Sequence, residues 1–196
     1  MDPQPISLAG RHVRLEPLTP RHAPELLAAL NLDPSVWQWL PVAPPTTLAE
    51  MEAMVVADLQ AQADGAKLIF TQIEAPTGRI VGSTTYLDIS RRDRRLEIGS
   101  TWIAKAWQRT GINTEAKFLL LRHAFEDLGA VRVQLKTDRR NLQSQAAIER
   151  LGAVREGILR NHMIVQNGFI RDSVMYSITN EEWTSVRTHL QAKLLR

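Results

Sequence analysis

The chain has 196 residues, a formal net charge of +3, 44% hydrophobic residues and 23% charged residues, the proportions of a globular domain large enough for one sizeable core. It has no cysteine, which excludes a disulfide framework, thiol catalysis and cysteine-held zinc, and so small a charge is not that of a polybasic nucleic-acid-binding tail. No run reaches the roughly 18 apolar residues of a membrane span, and Met1-Asp2-Pro3-Gln4 carries neither a basic flank nor an apolar run, so one domain over residues 1–196, a cytoplasmic location and no membrane partner are expected.

Taken in order, Arg11 to Leu18 alternates polar and apolar and predicts a first strand. Thr19 before Pro20 suits a helix start, Leu26, Leu27 and Leu30 give that helix an apolar face, and Asp33-Pro34 ends it. Trp37 and Trp39 follow in a loop, where they either line a substrate mouth or cap the core. After a proline-rich link a second helix is expected from Thr46-Thr47 to Ala63. Strands are expected over Lys67 to Ile73 and Arg79 to Ile89, joined by Ala75-Pro76-Thr77-Gly78, and a fourth over Leu96 to Ile103. The basic run Arg91 to Arg95 between these last two reads as a solvated loop tip, or as a patch for an acidic acceptor or for ribosomal RNA near a protein substrate. A long amphipathic helix follows from about Thr114 to Leu128, then a short strand from Val131 to Lys136 and a helix from Asn141 to Leu151 closed by Gly152. Asn167-Gly168 joins two strands, Val154 to Val165 and Phe169 to Ile178, into a hairpin, and Glu181 to Leu195 forms a last helix. The order β-α-α-β-β-β-α-β-α-β-β-α predicts an open mixed sheet with helices on both faces.

The junction Trp107-Gln108-Arg109-Thr110-Gly111-Ile112-Asn113-Thr114 has the chemistry of an anion site. It places free backbone N–H groups and the positive end of a helix dipole next to a glycine that permits close approach. No Gly-x-Gly-x-x-Gly and no Gly-Lys-Ser/Thr occurs, so the dinucleotide fingerprint and the P-loop are both missing. An ordinary strand-to-helix loop is the competing reading.

The order of elements, with Gln108-Arg109-Thr110-Gly111-Ile112-Asn113 after the fourth strand, resembles the GNAT superfamily of acyl-CoA-dependent N-acyltransferases. Asn141-Leu142-Gln143-Ser144 with its helix to Leu151-Gly152, and the hairpin from Arg160-Asn161-His162 to Arg171-Asp172-Ser173-Val174-Met175-Tyr176, are similar to the branch of ribosomal-protein N-terminal (RimJ/RimL-like) acetyltransferases. The resemblance spans about Arg11 to Trp183. It implies an α+β fold, an open, mostly antiparallel mixed sheet of about seven strands with helices on both faces and a C-terminal helix. The implied reaction moves an acetyl group from acetyl-CoA directly to a primary amine, either a protein N-terminus or a small molecule. A non-catalytic acyl-CoA-binding or sensing module is the alternative. One turn position departs from the pattern: Asn113 stands where Gly or Ala is usual, either capping the helix or bonding a phosphate.

By position in the family, Ile103 offers the oxyanion-hole N–H, with Trp102 beside it along the pantetheine arm. Gln108, Arg109, Thr110, Gly111, Asn113 and Thr114 hold the pyrophosphate. Asn141 bonds the cofactor and Ser144 gives a hydrogen bond or proton to the departing thiolate, unless both serve only as N-cap residues. Glu97, a carboxylate in an apolar strand, is read as the base, directly or through water. Otherwise it is an outward carboxylate paired with Arg94 or Arg95. Asp88 is a weaker candidate for the base, and Glu115 is read as compensating the helix dipole. Gly99 hints at a bulge. The five histidines show no metal-ligand spacing, so no metal is expected. Nucleic acid is not an expected partner, since no aromatics interleave with the basic residues. The terminal hairpin and last helix offer faces for a homodimer. The acceptor amine is not specified.

Overall fold

Alternation in the first expected strand becomes alternation in burial: Val13 and Leu15 are fully buried, while Arg14 and Glu16 pair with each other at 2.6 Å. The computed structural model describes residues 1–195. Its strands are β1 (Leu8–Ala9), β2 (Val13–Pro17), β3 (Leu68–Glu74), β4 (Ile80–Ser90), β5 (Arg95–Ile103), β6 (Arg132–Asp138), β7 (Val154–Ile164) and β8 (Ile170–Thr179). Its helices are α1 (Ala23–Asn31), α2 (Leu48–Ala63), α3 (Gly111–Arg122), α4 (Leu142–Arg150) and α5 (Asn180–Leu194). Among the described residues the strands form one sheet in the order β1-β2-β3-β4-β5-β6-β8-β7. All neighbours are antiparallel except β5 and β6. The eighth strand, β1, is two residues long, too short to leave a period, and folds back on β2 through a turn in which Gly10 N–H donates to Val13 C=O at 2.9 Å.

Two apolar layers sandwich the sheet. On one face α3, α4 and α5 pack on Leu96, Ile98, Val133, Tyr176 and Ile178, and Trp183 stacks on Phe125 at 5.3 Å. On the other, α1 and α2 cover Ile69, Ile73, Ile80 and Trp102. Capping boxes start α2 (Thr47 with Glu50) and α5 (Thr179 with Glu182), each satisfying N–H groups that the helix cannot.

The long helix differs from expectation at both ends. It begins at Gly111 with Thr110 as its N-cap, three residues before the expected Thr114. After Arg122 it widens into a π-helical turn over His123–Asp127. Just before this turn the Tyr86 hydroxyl donates to Leu120 C=O at 2.5 Å. No described helix is long and apolar enough to cross a membrane.

Candidate functional site

The site starts from a parting of strands. β5 and β6 pair only over Arg95 to Glu97 and Arg132 to Gln134. Beyond that, β5 stays with β4 to Ile103 and β6 stays with β8 to Asp138. A bulge bends β5 away. Ser83 lies opposite Trp102 and Thr85 opposite Gly99, so one residue of β4 faces both Ser100 and Thr101, and Ser100 takes a φ of +45°. The bulge lies next to Gly99, as the sequence suggests. Gly82 is required here: a Cβ would lie 2.1 Å from the Trp102 carbonyl oxygen. A cleft of about 690 Å³ runs through the gap from one face of the sheet to the other.

At one mouth stands the start of α3. Thr110 Oγ1 accepts from Ile112 N–H and donates to Trp107 C=O at 2.7 Å, which leaves the N–H groups of Gly111 and Asn113 without acceptors in the helix. Arg109 is held at a φ of +61°, a left-handed conformation uncommon for a side chain this large. Thr110 therefore does the capping, one of the two roles open to Asn113, and Asn113 is left lining the cleft with Thr114. Gly111 does not line the cleft. A Cβ there would meet the His12 ring at 2.7 Å, so the glycine admits His12 rather than a ligand.

Gln108 ties the turn to both walls: its Nε2 donates to Ile103 C=O at 3.1 Å, and its Oε1 accepts from Gln143 at 3.3 Å. Opposite, Asn141 caps α4 by accepting Ser144 N–H at 3.0 Å. Asn141 is thus an N-cap residue and also lines the cleft, as does Ser144, whose hydroxyl has no hydrogen-bond partner among the described residues. Ile103 faces the gap by strand alternation. Ala104 N–H donates to Val81 on β4 at 2.8 Å, and the Trp102 carbonyl also points that way, so the N–H and C=O of Ile103 turn towards the opening. The Trp102 ring packs with Trp37 at 5.5 Å.

The other mouth opens on a polar part of the sheet. Glu97 is buried, but its surroundings are not apolar and its partner is neither Arg94 nor Arg95. Both of its oxygens accept from Lys136 Nζ, at 2.7 and 2.6 Å, and Gln134 Nε2 donates at 2.9 Å. Arg95 instead pairs with the exposed Asp88 at 2.6 Å. Buried Asp138 is held below the usual carboxylate range. Burial alone would raise it, but hydrogen bonds from the Arg140 side chain and backbone outweigh that. Arg140 in turn lies 3.5 Å over the Phe169 ring and 5.3 Å from that of Trp39. Of the two loop tryptophans, Trp37 is buried in the α1/α2 layer and Trp39 lines the cleft.

Glu115 does not compensate the dipole. It accepts the backbone N–H groups of Arg11, His12 and Val13 at 2.9, 2.5 and 2.8 Å, fastening α3 to the turn before β2. Lys117, Lys136 and Arg171 line the cleft as well, without being expected there from the sequence. Lys117 Nζ donates to Thr101 Oγ1 at 2.6 Å and to Thr84 Oγ1 at 3.0 Å, without a carboxylate partner, and burial lowers its pKa to about 7. A signal for it existed: Ala116 and Phe118 to Leu121 make α3 apolar nearly all round, so a lysine among them must be buried too. Lys136 and Arg171 meet the site through cross-strand pairing, which no local pattern shows.

The structure thus brings Glu97, Trp102, Ile103, Gln108, Arg109, Thr110, Asn113, Thr114, Asn141 and Ser144 to one cleft and leaves out Gly111. Residues 12–154 match the family described as Acetyltransferase (GNAT) domain. Among curated proteins, YdaF of Bacillus subtilis (strain 168), provisionally named a ribosomal N-acetyltransferase, is 37% identical over 106 residues, covering 54% of this chain and 57% of that protein. The match therefore spans little more than half of that relative. Among solved structures, a GCN5-related N-acetyltransferase from Brucella melitensis is 33% identical with a TM-score of 0.92, covering 99% of this chain and 87% of the other. An acetyltransferase from T. thermophilus, also provisionally named, is 38% identical with a TM-score of 0.89, covering 99% of this chain and 100% of the other. The chain belongs to the GNAT family of acetyltransferases.

Proposed function

We propose that this chain moves an acetyl group from acetyl-CoA directly to a primary amine, a protein N-terminus or a small-molecule amine. One observation carries the reading: the cleft passes through the sheet, so a donor entering beside α3 and an acceptor entering from the polar face meet at Ile103. The residues fit a CoA pyrophosphate, because the free N–H of Asn113 stands in the first turn of a twelve-residue helix at the cleft, beside Arg109 and Thr110. When bound, acetyl-CoA supplies the acetyl group as a thioester. Ile103 N–H is the donor that would hold the thioester oxygen as it gains charge, a contribution of a few kcal/mol. Gln108 fixes the direction of the Ile103 peptide from its other side. Ser144, with its hydroxyl unengaged, would donate to the departing thiolate, and Asn141 orients that helix start. The acceptor must arrive neutral, which favours a chain N-terminus with a pKa of about 7.7–8.0 over a lysine at about 10.4. Glu97, anchored by Lys136, is assigned to take up the amine proton directly or through water.

Steady-state release of CoA thiol with N-terminal peptides, polyamines and aminoglycosides tests this. Turnover with at least one amine is expected, with loss of about 10²-fold or more in kcat for Glu97→Gln. Tight acetyl-CoA binding without any amine-dependent thiol release sinks the reading. Self-association belongs to the same proposal, because the β7–β8 hairpin exposes Leu159, Ile164, Phe169 and Ile170. Light scattering is expected to give a dimer, and a monomer mass at micromolar concentration removes that part.

A further inference from the structure

The cations at the polar mouth are not all paired with carboxylates. Glu97 is taken by Lys136, and Asp138 by Arg140, whose guanidinium is pinned against Phe169 and Trp39. Arg171 remains. It lies on β8, only 5% exposed, and lines the cleft. It has no ion pair among the described residues, and its single side-chain hydrogen bond runs from Nε to Ser173 Oγ at 3.0 Å. Its terminal nitrogens therefore hold no protein acceptor. An arginine stays charged in proteins, and a buried charge is ordinarily paired.

The carboxylates near enough to act on it, Asp138 and Glu97, are each already held by a closer cation, Arg140 and Lys136. His162 on β7 bonds Ser173 Oγ at 3.0 Å and is shifted towards its neutral form, first by burial and then by Lys136 and Arg171. With Glu97 paired to Lys136 and Asp138 to Arg140, Arg171 is the one cation of this cluster without a carboxylate partner among the described residues. A polycationic acceptor meets repulsion there. A carboxylate meets a planar pair of free N–H donors of the kind that binds it bidentately.

Resting on the transferase reading above, we propose that Arg171 binds a carboxylate of the acceptor, so that the substrate class is a primary amine carrying an acidic group near the amine. The carboxylate has two possible sources: the α-carboxylate of a free amino acid, or an acidic side chain close to a peptide's N-terminus. Amine-dependent thiol release separates them. One arm compares alanine with alaninamide, and the other compares short peptides with aspartate or asparagine as their second residue. In at least one arm the acid is expected to exceed its amide in kcat/KM by about tenfold or more, equivalent to about 1.4 kcal/mol. The arm that shows the preference names the source. Arg171→Gln is expected to bring that ratio near one, and Arg171→Lys to retain part of it.

Equal kcat/KM for acid and amide in both arms, with turnover present, overturns the proposal. That result needs only the unmodified protein, so it stands even if Arg171→Gln fails to fold. A loss in Arg171→Gln that falls on the Kd of acetyl-CoA, leaving the acid preference intact, also overturns it, because the guanidinium would then serve the donor. Absence of turnover with every amine tried is a different result, and it rejects the transferase reading itself.

Discussion

Lys117 offers a test of the buried electrostatics that does not depend on any substrate. Its ammonium sits between α3 and the β4–β5 strands, 6% exposed, with only the hydroxyls of Thr84 and Thr101 as partners. Burial disfavours the charged form and lowers the pKa from 10.5 to about 7. In the unfolded chain the same lysine keeps its ordinary value. Between pH 7 and 10.5 the unfolded chain therefore binds a proton that the folded chain does not, and stability from this residue rises with pH across that window. Below about pH 7 both states are protonated and the contribution is flat. At 1.36 kcal/mol per pH unit, the two units from pH 7 to pH 9 are worth about 2.7 kcal/mol. The clean measurement is the difference in unfolding free energy between the unmodified protein and Lys117→Met, from urea titrations at pH 6, 7.5 and 9. Other titrating groups cancel in that difference. The gap is expected to move in favour of the lysine by about 2–3 kcal/mol from pH 6 to pH 9, with the methionine variant the more stable at pH 6. A difference flat to within about 0.5 kcal/mol over this range would mean that Lys117 is solvated or paired in the native state, and the argument from burial would fail.

Other consequences follow from the same geometry. Glu115→Ala strips three backbone N–H groups of a charged acceptor and is expected to cost about 3–5 kcal/mol in urea denaturation, since hydrogen bonds to charged groups are worth about 1.5–3 kcal/mol each. A loss under 1 kcal/mol would show that water replaces the carboxylate. Gly82→Ala places a Cβ 2.1 Å from the Trp102 carbonyl oxygen, so a penalty of about 3 kcal/mol is expected along with lost transfer activity, because the β4–β5 register at the gap must shift. A stable variant with full activity would contradict the packing. Asn113→Ala is expected to weaken acetyl-CoA about fivefold by calorimetry while changing stability by no more than about 0.5 kcal/mol, because Thr110 already caps the helix. A stability loss without any change in affinity would restore Asn113 to a structural role.

Elements with a strong period were legible residue by residue. Val13 and Leu15 alternate with Arg14 and Glu16, Asn167-Gly168 marks a hairpin, and Gly152 closes a helix, all within a few residues of chain. The start of α3 was misplaced because Thr110, Asn113 and Thr114 are all competent caps and only the path of the preceding chain selects among them. The partner of Glu97 was misassigned for a different reason. Arg94 and Arg95 are its neighbours in sequence, whereas Lys136, thirty-nine residues further along the chain, reaches it across the parallel β5–β6 pairing. Glu115 was misread because its acceptor role depends on a turn 102 to 104 residues away.

That contrast bears on how the two halves of the cleft can change. The donor mouth is built from consecutive residues at a helix start, and its groups are mostly backbone N–H, which side-chain substitution cannot remove. What can move it is the seating of α3, held by Glu115 at the turn before β2 and by Tyr86 at Leu120. The acceptor mouth is lined by side chains on three strands and a loop, Glu97, Lys136, Arg171 and Trp39, with the Asp138–Arg140 pair behind Trp39. Any one of these can be replaced without disturbing the donor's contacts, and each replacement alters the charge or surface an acceptor meets. Substitutions at Arg171 should therefore act on the acceptor's KM and leave acetyl-CoA affinity close to its original value, whereas those at Lys136, which anchors Glu97, should also lower kcat. Substitutions at Glu115 should show the reverse, an acetyl-CoA Kd that rises together with the loss of stability.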